Sequence, residues 1–554
     1  MSIDIETYRL KAQEAIEYVF VKEYHNSLGI PMPIVKMLLP DDANYSTGQY
    51  YITIDKTWQI HLNFGKLPIS YHEFQNEVKV LTRHEIEHYM CCPFDVITHF
   101  RMLKRIRDVY YKHFSHLGIN IEYACGAISN QAADIIVDTK NYYRHSKETL
   151  KSEIDWIKIG ANISACPRHC KLMFLTKEAI WKEDLGINET DPEFLKIVHQ
   201  LADSFTKNGI EDKSSFLDKV EEYAEIFFKL YVEDQKNPQQ SSQQGSQQQS
   251  GQWGVGRPKD GDEHGNAFVF ADPDKVKEAI EVLAEETSVE EFIDLLAIAG
   301  IIGMSDKQKG VLWFNVQSAN IIPIVEFSNT GNKSSYTYPS VWRIGDPIEE
   351  LDLMLTYMTS PRLIPGMTTK KWGYVSNDDN GTESKQMDLL LVVDTSGSMG
   401  SAMKESANMH QAVLASYGIL SYFESTKSKV AFIGFSDKID AYVDWSDKYD
   451  DVRERLLTNG HGGTKFPISR IKSTLDVRSR DLVTVLITNG DLGNINESVS
   501  YFRDYLNDDN KLYIFLLGGS KSLHSYEPLK NIGAKIYNAN NANEFCDMVL
   551  TDME

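Results

Sequence analysis

The chain has 554 residues, 42% of them hydrophobic and 25% charged, with a formal charge of −22 at pH 7. That length exceeds one core and predicts about three or four domains. So acidic a surface repels phosphate backbones and anionic lipid, which excludes generic nucleic-acid and membrane-surface binding. Lys104, Arg105 and Arg107 cluster, but on one short helix face. No apolar run reaches the roughly 18 residues of a membrane-spanning helix. The first twenty residues carry early acids and lack a basic start before an apolar block, so no secretory signal is expected. The six cysteines are therefore read as reduced thiols and the location as cytoplasmic.

In chain order, an opening helix over roughly 5–27 precedes two strands with alternating apolar residues, at 50–54 (YYITI) and 58–64 (WQIHLNF). A helix over about 73–91 contains His84-Glu85-Ile86-Glu87-His88, with Val78, Leu81 and Tyr89 as apolar anchors. Residues four apart share a helix face, so His84 and His88 can hold one Zn²⁺ through their imidazoles. Glu85 then stands beside the metal as a general base for a zinc-bound water. A catalytic zinc takes a third protein ligand and keeps one open position. The segment ISNQAADIIVDTKNYYRH offers Asn130, Asp134, Asp138 and, one or two turns on, His145, all on one helix face. An edge strand ahead of such a helix can hold an extended peptide by main-chain bonding.

Cys91-Cys92-Pro93 is expected to end the His-bearing helix. Phe100, Leu103, Tyr110 and Tyr111 read as core stripe residues. Cys166-Pro167-Arg168-His169-Cys170 could hold part of a structural zinc, but no second ligand pair lies at a suitable spacing, so ordinary thiols are expected.

Residues 234–266 are Gln/Ser/Gly-rich with almost no apolar side chains and read as a flexible tether. This sets domain bounds of 1–233 before it, a connecting region at 267–385 and a C-terminal domain at 386–554. Within the connecting region, 272–302 has helical apolar spacing, whereas 310–385 reads as strand-like and then helical. From 387 onward, strands near 387–394, 429–436, 481–488 and 511–517 alternate with helices near 402–424, 447–457, 495–507 and 542–552. Such alternation predicts a parallel sheet covered by helices on both faces. The first strand runs into Asp394-Thr395-Ser396-Gly397-Ser398, which sets the oxygens of Asp394, Ser396 and Ser398 on one tight loop. Hard divalent cations such as Mg²⁺ take that kind of ligand and keep positions open. No histidine stands at a triad position for Ser396, so metal ligation explains the loop better than nucleophilic catalysis.

The Asp-Thr-Ser-Gly-Ser loop resembles the metal-ion-dependent adhesion site of von Willebrand factor A domains, which implies a Rossmann-like α/β fold. The resemblance implies a threonine from a second loop, for which Thr464 after Gly462-Gly463 is suited, and an aspartate after a later strand. There the chain reads Thr488-Asn489-Gly490-Asp491, so either Asn489 offers a neutral carbonyl or Asp491 swings in to serve the Mg²⁺. A His-Glu-x-x-His helix followed by Asn130-Gln131-Ala132-Ala133-Asp134 is similar to a bacterial family of predicted zinc metallopeptidases. Their N-terminal domain is zincin-like and α+β, and their C-terminal domain is von Willebrand A-like. That similarity implies Asp134 as third zinc ligand, Asn130 in support, and a MoxR-type AAA+ ATPase as companion. The expected function is a zinc-dependent peptidase whose A-type domain recruits a protein partner or substrate through a carboxylate that completes the Mg²⁺ coordination. The competing expectation is a non-catalytic adaptor for an AAA+ ATPase, with a structural zinc.

Overall fold

The computed structural model describes residues 5–28, 30–42, 50–54, 59–64, 70–159, 163, 166–236, 273–301, 304–321, 340–342, 370–371, 387–478, 481–490, 492, 494–508, 510–518 and 523–539. The chain divides into one unit formed by Met1–Thr287 and Glu291–Met304, and another formed by Ser288–Glu290 and Ser305–Glu554. It is a mixed α/β protein. No helix among the described residues is long and apolar enough to cross a membrane.

In the first unit α1 (Ile5–Glu17) continues as a wider helical turn to Glu23, close to the expected opening helix. Strands β1 (Ile34–Met37), β2 (Tyr50–Ile54) and β3 (Gln59–Phe64) form a sheet in the order β1-β3-β2. The expected pair β2 and β3 is antiparallel, and β1, which the sequence reading lacks, pairs with β3 in parallel. Helix α2 (Tyr71–Met90) starts at a capping box, in which Ser70 Oγ accepts from Glu73 N and the Glu73 carboxylate reaches back to Ser70 N. This satisfies two of the first-turn donors that a helix otherwise leaves unpaired. Phe74, Val78 and Ile86 pack with Ala12, Ile16 and Phe20 of the N-terminal helix and Ile60 and Leu62 of β3 in one apolar cluster. The opposite side of α2 is polar yet buried, because α4 (Ile121–Ile159) lies along it.

Around this pair stand α3 (Val96–Val109), α5 (Arg168–Trp181), α6 (Pro192–Thr206) and α7 (Phe216–Lys236), with α8 (Pro273–Glu286) against α3. Phe100, Leu103 and Tyr110 are core residues as expected, but Tyr111 is 47% exposed under the Arg107 guanidinium. The basic cluster is neutralised: Lys104 and Arg107 bind Glu291 of α9 (Val289–Ile298), and Arg105 binds Glu221. Helix α7 carries the first unit three residues into the expected tether, since Asp234 accepts from Arg168 and His169. The remainder of that tether lies outside the described residues, and α8 and α9 from Glu291 on, placed by sequence in the connecting region, belong to the first unit.

The second unit holds a six-stranded sheet of β6 (Asp388–Asp394), β7 (Val430–Phe435), β8 (Ile439–Ser446), β9 (Leu482–Thr488), β10 (Lys511–Leu517) and β11 (Lys535–Ala539). Its order is β11-β10-β9-β6-β7-β8, parallel except for the antiparallel edge strand β8. Every residue of β6, β7 and β9 is buried, as a parallel strand covered on both faces requires. Leu390, Val392, Ala431 and Ile433 pack with residues of α13 (Ile468–Leu475), α14 (Val499–Asn507) and α15 (Leu523–Lys530) in one cluster. On the strands Leu389, Leu391 and Val393 face the other way, where α11 (Asn408–Ser425) contacts β6 and α12 (Tyr449–Leu456) contacts β7.

Four strands and three helices fall near their expected places, although α11 starts at Asn408 and not at 402. The expected helix at 542–552 lies outside the described residues. One expectation is overturned: Asp306–Ile321, part of the stretch read as strand-like, is helix α10, packed against α11 and α12. A short antiparallel ribbon of β4 (Ser340–Val341) and β5 (Lys370–Lys371) completes the described part of this unit.

Candidate metal centre

Helix α2 presents His84 and His88 one turn apart, and α4 presents Asp134 opposite them. His84 Nε2 and His88 Nε2 are 3.1 Å apart, and Asp134 Oδ1 lies 3.6 Å and 3.3 Å from them respectively. A tetrahedral Zn²⁺ with bonds of 2.0–2.1 Å sets its ligands about 3.3–3.4 Å apart. The triangle therefore has the size of one face of a zinc tetrahedron. Asp134 Oδ1 is buried and has no hydrogen-bond partner, whereas Oδ2 accepts from Asn130 Nδ2 at 2.8 Å. Asn130 thus holds the carboxylate so that its other oxygen faces the two imidazoles.

The outer nitrogens fix both rings. His84 Nδ1 donates to Asp138 Oδ1 at 2.7 Å, and His88 Nδ1 donates to the Cys92 carbonyl at 2.8 Å. With both Nδ1 atoms donating, the neutral tautomers direct both Nε2 lone pairs inward, against each other and against a carboxylate oxygen. Only a cation or a proton relieves that convergence. Burial by itself would lower the affinity of His84 for a proton, but the carboxylates of Asp138, Asp134 and Glu85 outweigh it and push the group up to about 10. The residues fit a metal: imidazole, imidazole and carboxylate are the donor set of a catalytic zinc. The His84 side chain is 20% exposed against 2% for His88, so the approach lies on the His84 side.

Glu85 is 1% exposed and close enough to His84 to favour its protonated form. Of the alternatives for third ligand, Asp138 is occupied behind His84, where its Oδ2 also accepts from Lys177 Nζ at 3.0 Å. Burial alone would raise the Asp138 carboxyl, yet Lys177 and His84 hold it below the usual carboxylate range. Lys177 in turn binds Glu153, and burial that would discharge the amine is overcome by the two carboxylates. His145 stands outside the cluster of His84, His88 and Asp134: α4 breaks from helical geometry at that residue (φ −136°, ψ 50°), and its Nε2 lies 3.8 Å from Glu23. Glu87, wholly buried, binds Lys140, Arg144 and Tyr24. Sequence reasoning missed Lys177, whose one signal is a charge within the apolar run of α5.

In the second unit the parallel register puts Asp394 opposite Phe435 and Val393 opposite Ile487, so the turns after β6, β7 and β9 emerge at one edge of the sheet. Ligands of open α/β sheets bind at that edge. Asp394, buried, accepts from Ser396 N at 2.9 Å and from Thr488 Oγ1 at 2.6 Å. Ser396 Oγ and Ser398 Oγ are 3.1 Å apart, and Ser398 Oγ donates to Asn489 Oδ1 at 3.0 Å. An octahedral Mg²⁺ with bonds of 2.0–2.1 Å has edges of about 2.9 Å. Gly397 N donates to Gly462 O at 3.3 Å, which brings the loop of Thr464, half-buried, up to the serine turn. Asn489 also donates to the Ser398 carbonyl at 2.7 Å, so it is the residue that meets the turn; Asp491 lies outside the described residues.

Cys91, Cys92, Cys125, Cys166 and Cys170 are all free thiols, and His169 between the last two binds Asp234. Burial pushes Cys166 and Cys170 up, as for inert thiols. Among the described residues, His84, His88 and Asp134 form the one cluster of His, Cys and acidic side chains spaced to hold an ion. No protein-family model matches this chain, and no curated protein matches it.

Proposed function

We propose that the first unit is a zinc-dependent peptidase of zincin-like build. The second, of von Willebrand A type, recruits a protein partner or substrate through a Mg²⁺-bound carboxylate. The observation that carries the first half is the convergence of His84 Nε2, His88 Nε2 and the otherwise unbonded Asp134 Oδ1 at tetrahedral-edge separations. A bound Zn²⁺ would supply Lewis acidity and lower the pKa of a water in its open position. Glu85 accepts the proton of the attacking water and returns it to the leaving amine. Asp138 and the Cys92 carbonyl hold the two imidazoles in the tautomers that leave Nε2 inward.

For the second half, Ser396 and Ser398 offer hydroxyls at octahedral-edge spacing, with Thr464 and Asn489 on adjacent turns and Asp394 beneath them. A site with a neutral amide in place of a carboxylate leaves more of the cation's charge for a partner's Glu or Asp. By resemblance the companion is a MoxR-type AAA+ ATPase; the reduced thiols support a cytoplasmic setting. Two variants test the reading. Glu85→Gln keeps the zinc and abolishes cleavage of a bound partner or of the chain itself. Asp394→Ala abolishes Mg²⁺-dependent capture of the partner. Cleavage unchanged by Glu85→Gln would refute the peptidase and leave the zinc a structural role in an adaptor; capture that persists in EDTA would refute the docking site.

A further inference from the structure

The residues that follow the serine turn are tied to helix α10, which comes from outside the block 386–554. Ala402 and Met403 lie in the loop between Ser398 and the start of α11 at Asn408. His410, buried on the first turn of α11, donates from Nδ1 to the Ala402 carbonyl at 2.7 Å. Its ring is held by two side chains of α10, Trp313 at 5.3 Å and Phe314 at 5.2 Å between centroids. Phe314 also packs on Tyr417 two helical turns further along α11, at 5.6 Å. A second tie runs through Met403: a Cβ placed on Gly310 of α10 would lie 2.7 Å from its Cε, so the missing side chain makes the seat for the methionine.

We propose that α10 is a positioning element for the cation-binding turn, steadying the loop that leaves Ser396 and Ser398 through His410 and Met403. The inference rests on the magnesium reading of that turn. Its basis is mechanical. The loop 400–407 has no regular secondary structure. Its backbone ties include Gly400 N to Gly397 O, Lys404 N to Ser401 O, Ala407 N to Lys404 O and His410 N to Ala407 O, all of them short turns. Asp394, Asn489 and the Gly462 carbonyl hold the serine turn itself, whereas the loop that leaves it takes its anchor from α10. The aromatic seat on α10 orients the His410 ring, the ring holds the Ala402 carbonyl, and the carbonyl fixes the loop that leaves the turn. Gly310 lets α10 approach until Met403 closes the same end from the other side. A rearrangement of α10 would therefore change cation affinity without touching a ligand.

The test is a Mn²⁺ titration followed by electron paramagnetic resonance on the zinc-saturated full chain, with the signal of the turn assigned by its loss in Ser396→Ala. His410→Leu removes the donor and is expected to weaken Mn²⁺ binding by about tenfold, the usual effect of losing an outer-shell partner. His410→Asn restores a donor at the place of Nδ1 and is expected to bind within about threefold of wild type. Gly310→Leu, which displaces Met403 and leaves His410 intact, is expected to weaken binding as His410→Leu does. Circular dichroism melts separate loss of fold from loss of affinity. A folded His410→Leu or Gly310→Leu protein with wild-type affinity would overturn the role of α10. Absence of any Mn²⁺ signal sensitive to Ser396→Ala would overturn the magnesium reading, and with it this inference.

Discussion

Replacing Asp138 by asparagine tests whether the candidate centre of His84, His88 and Asp134 is tuned from behind. Asp138 Oδ1 accepts from His84 Nδ1 at 2.7 Å, the length of a charge-assisted bond. Such bonds contribute about 1.5–3 kcal/mol, against about 0.5–1.5 for neutral pairs. Asp138→Asn, with its carbonyl in the same place, then weakens the hold on the ring by about 1–2 kcal/mol. At 1.4 kcal/mol per tenfold that is a loss of zinc affinity of about 5- to 30-fold. Lys177 keeps Glu153 as partner, so the variant is expected to stay folded. Competition for zinc against a chromophoric chelator measures the ratio directly. Affinity within about twofold of wild type would refute the claim that the Asp138 carboxylate sets the basicity and orientation of His84.

Removing zinc with a chelator leaves two inward Nε2 atoms and a carboxylate facing one another. At free zinc about a hundredfold above the dissociation constant, linkage contributes about 2.7 kcal/mol. The first unit should therefore melt roughly 5–10 °C lower without metal and recover on adding zinc, by calorimetry; an unchanged melt contradicts binding to the folded state. Asn489→Asp puts a carboxylate 3.0 Å from Ser398 Oγ and is expected to tighten Mn²⁺ binding by about tenfold, measured by titration; weaker binding would remove Asn489 from the site. Leu391→Ala empties a fully buried position of β6 and is expected to cost about 2–5 kcal/mol in denaturant unfolding; a cost below about 1 kcal/mol would contradict the two-faced cover of the sheet.

The candidate metal ligands were legible because α-helical period alone puts His84 and His88 on one face, and a second acid-bearing helix on the same scale supplied Asp134. Period alone could not rank Asp134 over Asp138, since both lie on the face that meets α2. The choice is made in three dimensions, by Asn130 turning one carboxylate inward and Lys177 drawing the other back. Lys177 itself was illegible, because its partners Asp138 and Glu153 come from another helix. His145 failed because the chain leaves helical geometry there, a break that no proline or glycine marks.

In the second unit the central strands were legible as continuous apolar runs. The edges were not: β8 is only half-buried and β11 is short. Helix α10 misled for a plain reason. Its Val311-Leu312-Trp313-Phe314 run is a consecutive apolar block, which reads as a strand when the packing partner α11 is unknown.

The zinc content of the purified full chain, measured by plasma mass spectrometry after dialysis against metal-free buffer, tests the central assignment most directly. Wild type should carry one zinc per chain, and His88→Ala and Asp134→Ala should each carry none while remaining folded. Zinc retained at full stoichiometry in both variants, or absent from wild type after zinc is supplied, would contradict the assignment of His84, His88 and Asp134 as its ligands.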